Sequence, residues 1–190
     1  MQEPIPGISP VTPAARFGPA GRLLMAASKI AAVAGGLVFV ALVIMSIVSI
    51  TGRKLFSAPV PGDVEVLQVC SAFAASAFFA YCHLNGGDVK VDFFTAKANP
   101  RTVHALDAAG SLLVGLFGAL IAWRAAAGAL TVKEAGETTM ILGWPLWVGQ
   151  MLMVPGLVLL ACAGLYMAAW HWRQRAEQIN GSNATSKAAS

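Results

Sequence analysis

The chain alternates between four long apolar stretches and short polar segments. The apolar stretches run over about residues 30–50, 66–84, 103–130 and 141–170. Each is long enough to cross a hydrocarbon core of about 30 Å as an α-helix, because a helix rises about 1.5 Å per residue. The pattern therefore predicts an all-α membrane protein, with four transmembrane helices in a domain of residues 24–172.

The segment between the second and third stretches has a different character. An Asn85-Gly86-Gly87 turn ends the second stretch, and Asp88–Arg101 then mixes charged residues with valine and phenylalanine. This segment is too short and too charged to cross the membrane. We expect a short interfacial segment between helices 2 and 3, with its phenylalanines at the acyl boundary.

The two ends of the chain lack such apolar stretches. Residues 1–23 are rich in Pro, Gly and small residues, which predicts a flexible N-terminal tail rather than a signal peptide. Residues 173–190 predict a polar C-terminal tail that is disordered from Gly181 onward. Within the fourth stretch, Pro155-Gly156 should kink the helix or open its hydrogen-bond ladder.

Small residues at four-residue intervals suggest which helices pack together, because helices in lipid approach closely where side chains are small. The second and third apolar stretches each carry such a series: Ala72, Ser76 and Ala80, and Ser111, Gly115 and Ala119. We expect these two helices to pack against each other.

Composition supports a membrane environment. The chain is 57% hydrophobic and 12% charged, whereas soluble domains carry about 25% charged residues. A bilayer can accommodate this excess of apolar surface, so membrane lipid is an expected partner. The net charge of +4 does not indicate nucleic-acid binding, because the basic residues are spread thinly beside the apolar stretches.

The distribution of Lys and Arg predicts the orientation, since cytoplasmic segments carry an excess of both. The N-terminal tail, the second connecting segment and the C-terminal tail lie on one side and carry nine of these residues: Arg16, Arg22, Lys29, Lys90, Lys97, Arg101, Arg173, Arg175 and Lys187. The other side carries Arg53, Lys54 and Lys133, with Arg124 nearby. We expect a multi-pass membrane protein with both termini in the cytoplasm.

Candidate chemistry is scarce. Cys70, Cys82 and Cys162 each lie inside an apolar stretch, and none forms a CxxC pair or accompanies His at metal-ligand spacing. Asp107 is the one acidic residue inside the predicted spans, and no series of acids suggests a proton or ion relay. No catalytic, cofactor-binding or metal-binding residue is predicted, so we expect a protein that is not an enzyme and has no cofactor.

Two alternatives stay open. Three histidines at span ends, His83, His104 and His171, would suit a small membrane redox protein with haem or quinone. We interpret them instead as interfacial histidines with access to water. The second alternative is a stand-alone four-span transporter that acts as an oligomer.

Charged and aromatic residues at span ends are the remaining candidates for function. The more specific interpretation is that these residues pair with a neighbouring subunit. The simpler one is that they anchor the span ends at the membrane surface. The subunit-interface candidates are Arg53, Glu65, Asp88, Asp92, Trp144 and Trp147.

Several short motifs, in this order, resemble one family. They are Arg53-Lys54-Leu55-Phe56 after the first span, a Pro-containing loop, Glu65 at the start of the second span, GGDVKVDFF over Gly86–Phe94 and GWPLW over Gly143–Trp147. The chain resembles the small membrane subunit of tripartite ATP-independent periplasmic (TRAP) transporters, the DctQ-like family. The family commonly has His where this chain has Asp88.

The resemblance implies a role in a three-part transporter. In this family a periplasmic binding protein delivers an organic acid, and a large permease subunit moves it by an elevator-type motion driven by sodium. The resemblance implies that the small subunit contacts the large one and holds its static scaffold in the bilayer. The expected partners are therefore the large TRAP permease subunit and the periplasmic substrate-binding protein.

Overall fold

The computed structural model describes residues 17–57, 60–87 and 100–188. These residues form four helices: α1 Pro19–Phe56, α2 Asp63–Leu84, α3 Pro100–Ala135 and α4 Leu146–Ala188. All four are long and apolar enough to cross a membrane. The prediction of an all-α protein with four membrane-crossing helices is therefore confirmed.

The helices form a row in the order α1, α2, α4, α3. The most extensive contact joins α3 to α4, followed by α2 with α4 and α1 with α2, while α1 touches α4 only slightly. Across the described residues, α2 makes no substantial contact with α3. The prediction that the second and third spans pack together is therefore wrong.

Small residues on α4 explain this order. A Cβ atom added at Gly156 would lie 2.6 Å from Ser76 Oγ on α2, and one added at Gly164 would lie 2.5 Å from Gly115 Cα on α3. The glycines thus bring α4 into backbone contact with both neighbours. Ser76 in the α2 series and Ser111 and Gly115 in the α3 series do mark packing surfaces, but each of them contacts α4.

The contact between α1 and α2 follows a heptad-like series on α1. Its buried positions recur at intervals of three, four or seven residues: Gly21, Met25, Ser28, Ala32, Gly35, Leu42 and Ser49. A Cβ atom at Gly35 would lie 3.0 Å from the Ala74 carbonyl oxygen, so this part of α1 lies directly on the α2 backbone. The rings of Phe39 and Phe78 stack beside it, with centroids 5.9 Å apart.

A hydrophobic cluster at one end of the row joins α1, α2 and α4. Its buried members are Phe17, Met25, Ala80, Leu84, Ala163 and Met167. The Phe17 ring meets the rings of Tyr166 and Trp170 edge-on, at centroid distances of 5.5 and 5.8 Å. The N-terminal end of α1 and the α4 segment around Trp170 therefore lie at the same end of the row.

The helix boundaries differ from the predicted spans in several places. Phe17 is packed and α1 begins at Pro19, a favourable first helical residue, so the flexible tail predicted to reach residue 23 is too long. The fourth helix begins at Leu146 rather than 141, because residues 137–146 form a hydrogen-bonded loop.

The helix α4 also continues to Ala188, through the segment from Gly181 for which the sequence predicts a disordered tail. Helix-forming residues occupy Arg173–Gln178, and a helix propagates more readily than it nucleates. Pro155 lies inside this helix. The predicted interfacial segment lies outside the described residues from Asp88 to Asn99, and Arg101 belongs to α3.

Candidate subunit-interaction site

Three segments meet at the end of the row opposite Phe17: the C-terminal end of α1, the N-terminal end of α2 and the loop between α3 and α4. We call this the junction. On its α1 side, the buried Ser49 hydroxyl donates a hydrogen bond of 2.5 Å to Asp63 Oδ2. The Arg53 guanidinium lies 3.3 Å from the same oxygen, and the backbone N–H of Val64 donates to Asp63 Oδ1 at 2.8 Å. Asp63 therefore ties the start of α2 to the end of α1.

Glu65 holds the α3–α4 loop against α2. Its Oε1 accepts a hydrogen bond of 2.8 Å from the Ile141 N–H, and its Oε2 accepts one of 3.0 Å from the Leu142 N–H. The Leu142 side chain lies over Gly62, where an added Cβ would be 2.5 Å from Leu142 Cγ. Gly62 also has a φ of +74°, a conformation that favours glycine. The two hydrogen bonds to Glu65 and the contact of Leu142 with Gly62 together fix the loop on the start of α2.

The loop is stabilised by its own hydrogen bonds as well. The Thr139 N–H donates to the Trp144 carbonyl at 2.8 Å, and the Trp144 N–H donates back to Thr139 Oγ1 at 3.0 Å. The Leu146 N–H donates to the Glu137 carbonyl at 3.1 Å, and Gly143 turns the chain with a φ of +67°. The loop therefore has a defined, hairpin-like conformation.

The electrostatics of the junction favour ionised carboxylates. Asp63 and Glu65 lie in the first turn of α2, ahead of the apolar stretch Val66–Leu84 that crosses the membrane. The Ser49 hydrogen bond is the main cause that lowers the pKa of Asp63 below its ordinary value, and Arg53 adds to it. Burial raises the pKa of Glu65, but the N–H donors of the loop outweigh this effect and leave the pKa lowered.

An exposed apolar ridge surrounds these polar contacts. Met140 and Ile141 at the loop tip are 99% and 65% exposed, and Trp144 is 50% exposed. Leu55 and Phe56 at the end of α1 are also strongly exposed. The junction thus presents exposed apolar side chains beside the exposed cation Arg53, a combination suited to contact with lipid headgroups or a protein partner.

Comparison with known families identifies the chain. The family model for tripartite ATP-independent periplasmic transporters, DctQ component, matches residues 40–174, from the middle of α1 into the C-terminal part of α4. The chain belongs to this family. No curated protein and no solved structure matches it. The resemblance drawn from the motifs is confirmed, and the DctQ component is part of a transporter rather than an enzyme.

The structure of this DctQ component brings four of the six predicted interface residues to the same end of the row. Arg53 and Glu65 have partners within the chain, Asp63 and the loop N–H groups respectively. Trp144 is exposed, whereas Trp147 is partly buried and lies beneath Lys133, whose Nζ is 5.0 Å from the ring centroid. The other two candidates, Asp88 and Asp92, lie outside the described residues.

Sequence reasoning missed several residues of the junction. Ser49, Asp63, Gly62 and Leu142 were not among the candidates, although they connect all three segments. One signal was available: an Asp directly after a Pro-Gly turn is typical of a helix start. No comparable signal marks Leu142, which contributes a backbone N–H and an apolar side chain.

Two of the three histidines are more buried than the sequence analysis predicted. His83 and His171 are 4% and 7% exposed, so the interpretation that they have access to water is wrong for both. The His171 ring packs against Trp170 at a centroid distance of 5.0 Å. Within residues 17–57, 60–87 and 100–188, no group of three His, Cys, Asp or Glu residues is placed to hold a metal ion.

Proposed function

We propose that this DctQ component is a static scaffold for the large permease subunit of a TRAP transporter. In this proposal the large subunit carries the sodium and substrate sites and takes up an organic acid that a periplasmic binding protein delivers. The chain lies in the bacterial inner membrane with both termini in the cytoplasm, which places the junction on the periplasmic side. The observation that carries the proposal is the arrangement of the four helices in a row.

A row leaves more lateral surface than a closed bundle. The terminal helices α1 and α3 each pack extensively on one neighbour only. Their outer faces carry large exposed side chains, among them Leu37 at 68%, Ile44 at 57%, Phe117 at 60% and Leu120 at 56%. Such faces can bind lipid or the helices of a large membrane partner over the full bilayer thickness. A subunit with two such open faces suits a role in which it stays still while its neighbour moves.

The placement of charge also favours an accessory role. Asp63 and Glu65, whose carboxylates accept hydrogen bonds from other segments, lie at one end of the row and stabilise the junction. A protein that moves an anion through itself is expected to carry polar or charged groups near the bilayer midplane. Where the helices of this chain approach most closely, at Gly115, Gly156 and Gly164, small residues form the contact instead.

We assign the periplasmic contact with the partners to the junction. Arg53 and Trp144 are exposed there and can reach a neighbouring chain, whereas Glu65 positions the loop that carries Trp144. Trp147 belongs to the same end of the row. Asp88 and Asp92 lie between α2 and α3, on the cytoplasmic side in this orientation, and complete the set of proposed interface residues.

Co-purification tests the proposal. The chain is tagged at its C-terminus, native membranes are solubilised in mild detergent, and the co-purifying proteins are identified. We expect a large polytopic membrane protein at near-equal stoichiometry. Recovery of the chain alone, or only as a homo-oligomer, would contradict the scaffold role. A Soret band in that sample would instead favour the redox alternative.

Charge reversal tests the junction separately. Arg53→Glu removes the ion pair with Asp63 and adds a further negative charge at the junction, so we expect a lower yield of the complex. The matched control is Lys54→Glu, which changes the net charge equally at an exposed neighbouring position. Glu65→Lys should act like Arg53→Glu because it releases the loop. Unchanged complex yield and uptake in both Arg53→Glu and Glu65→Lys would remove these residues from the interface.

A further inference from the structure

An apolar groove runs between α3 and α4 at the end of the row that carries Phe17 and Trp170. Its volume is about 380 Å³. Five alanines line it, three from α3 and two from α4, and its larger side chains are Leu112, Leu165 and Trp172.

The groove follows from the way the two helices pack. Gly115 and Gly164 bring α3 and α4 into backbone contact on one side of it. Beyond that contact, alanines on both helices project only a methyl group, and Ala108, 5% exposed, forms part of the floor. The rims are partly open, since Leu165 is 47% and Trp172 is 62% exposed.

The length and the lining of the groove suit a hydrocarbon chain. The lining from Ala105 to Leu112 covers seven residue steps of helix, or about 10 Å. All eight lining residues are apolar, and the five alanines leave a shallow, uninterrupted strip along this length. An acyl chain can lie along such a strip without leaving a polar group unpaired.

The aqueous end of the groove carries features of the membrane interface. Trp172 is an aromatic residue of the kind enriched at headgroup level, and the exposed Arg173 follows it directly. Asp107 falls between lining residues in the sequence of α3 but does not line the groove. The Lys and Arg count places this end in the cytoplasmic leaflet, where anionic lipids attract basic residues.

We propose that the α3–α4 groove binds one acyl chain of an anionic phospholipid, whose headgroup lies beside Arg173. The acyl chain covers the alanine floor, which is otherwise open to the bilayer. The bound lipid fills space between the two helices whose contact is the most extensive in the row.

Groove-filling variants test this site. Ala109→Leu and Ala169→Leu each add bulk at an exposed alanine that lines the groove, without entering the buried core. The matched control is Ala119→Leu, which makes the same change at an exposed position of α3 outside the groove. Each full-length chain is purified with the partners it retains, titrated with phosphatidylglycerol and examined by native mass spectrometry.

We expect both groove-filling variants to retain one phosphatidylglycerol fewer per chain than the wild type and the control. Equal retention in all four proteins would overturn the proposal. Unchanged lipid retention with loss of the large subunit would also overturn it, because a protein side chain would then be the occupant.

A second variant tests the headgroup. Arg173→Gln should bring the ratio of bound phosphatidylglycerol to bound phosphatidylcholine close to one, while the total lipid count stays the same. An unchanged preference for phosphatidylglycerol would contradict the placement of the headgroup beside Arg173.

Discussion

Gly164→Ala is the sharpest test of the packing, because one methyl group must enter the closest helix contact. The added Cβ would lie 2.5 Å from Gly115 Cα and 2.8 Å from the Ser111 carbonyl oxygen. Non-bonded carbon atoms prefer a separation of about 3.5–4.0 Å, so α3 and α4 must part by about 1 Å. Every other contact along the pair is weakened by that shift.

The expected magnitude combines two opposing effects. Forcing an extra methyl group into a well-packed contact costs about 1–3 kcal/mol. Replacing glycine by alanine inside a helix stabilises it by about 0.5–1 kcal/mol. The net effect of Gly164→Ala is therefore a loss of about 1 kcal/mol in the free energy of unfolding, which corresponds to a fall of about 2–4 °C in Tm for a domain of this size.

Gly110→Ala is the matched control. Gly110 lies in α3, and an added Cβ there would have nothing within 4 Å. Only the gain in helix propensity remains, so Tm should rise. The assay is thermal unfolding of the purified protein in detergent, followed by tryptophan fluorescence. A shift of the same sign and size in both variants would refute the packing of α4 on α3 at Gly164.

Three further predictions follow from the row and the junction. In a cysteine-free background, Val69→Cys with Gly149→Cys should form a disulfide, because an added Cβ at Gly149 lies 3.5 Å from Val69 Cβ. Val69→Cys with Gly128→Cys on α3 should form none. A disulfide in the second pair and none in the first would contradict the helix order. Glu65→Ala should speed hydrogen exchange at the Leu142 amide, because that N–H loses its hydrogen bond to the Glu65 carboxylate. An unchanged exchange rate would rule out this hydrogen bond. The pKa of Glu65 is lowered from its ordinary value of 4.5, so the ionised carboxylate stabilises the folded protein fully above pH 4.5. This stabilisation is lost as pH falls through the lowered pKa. Tm measured against pH should therefore fall at acidic pH in the wild type and fall less in Glu65→Gln.

The number of helices could be predicted from the sequence, but the neighbours of each helix could not. Length and hydropathy suffice for the four spans, because a bilayer admits few other structures. Lipid-facing and helix-facing positions are equally apolar, however, so hydropathy does not separate them. The small residues around Ser76 suit any helix with a complementary glycine, and Gly156 on α4 provides one.

The junction shows a similar limit. Arg53 and Glu65 stand out as charges at span ends, and the structure places both at the junction. Their partners are less visible, because Glu65 binds backbone N–H groups 76 and 77 residues away. Every residue except proline carries such a donor, so no sequence pattern marks it.

Reconstituted transport tests the central claim most directly. The large permease subunit is placed in liposomes with and without this DctQ component, and uptake of the organic acid is measured with the binding protein and a sodium gradient. We predict uptake only when both membrane subunits are present, and none with this chain alone. Equal uptake by the large subunit without this chain, or uptake by this chain alone, would contradict the scaffold account.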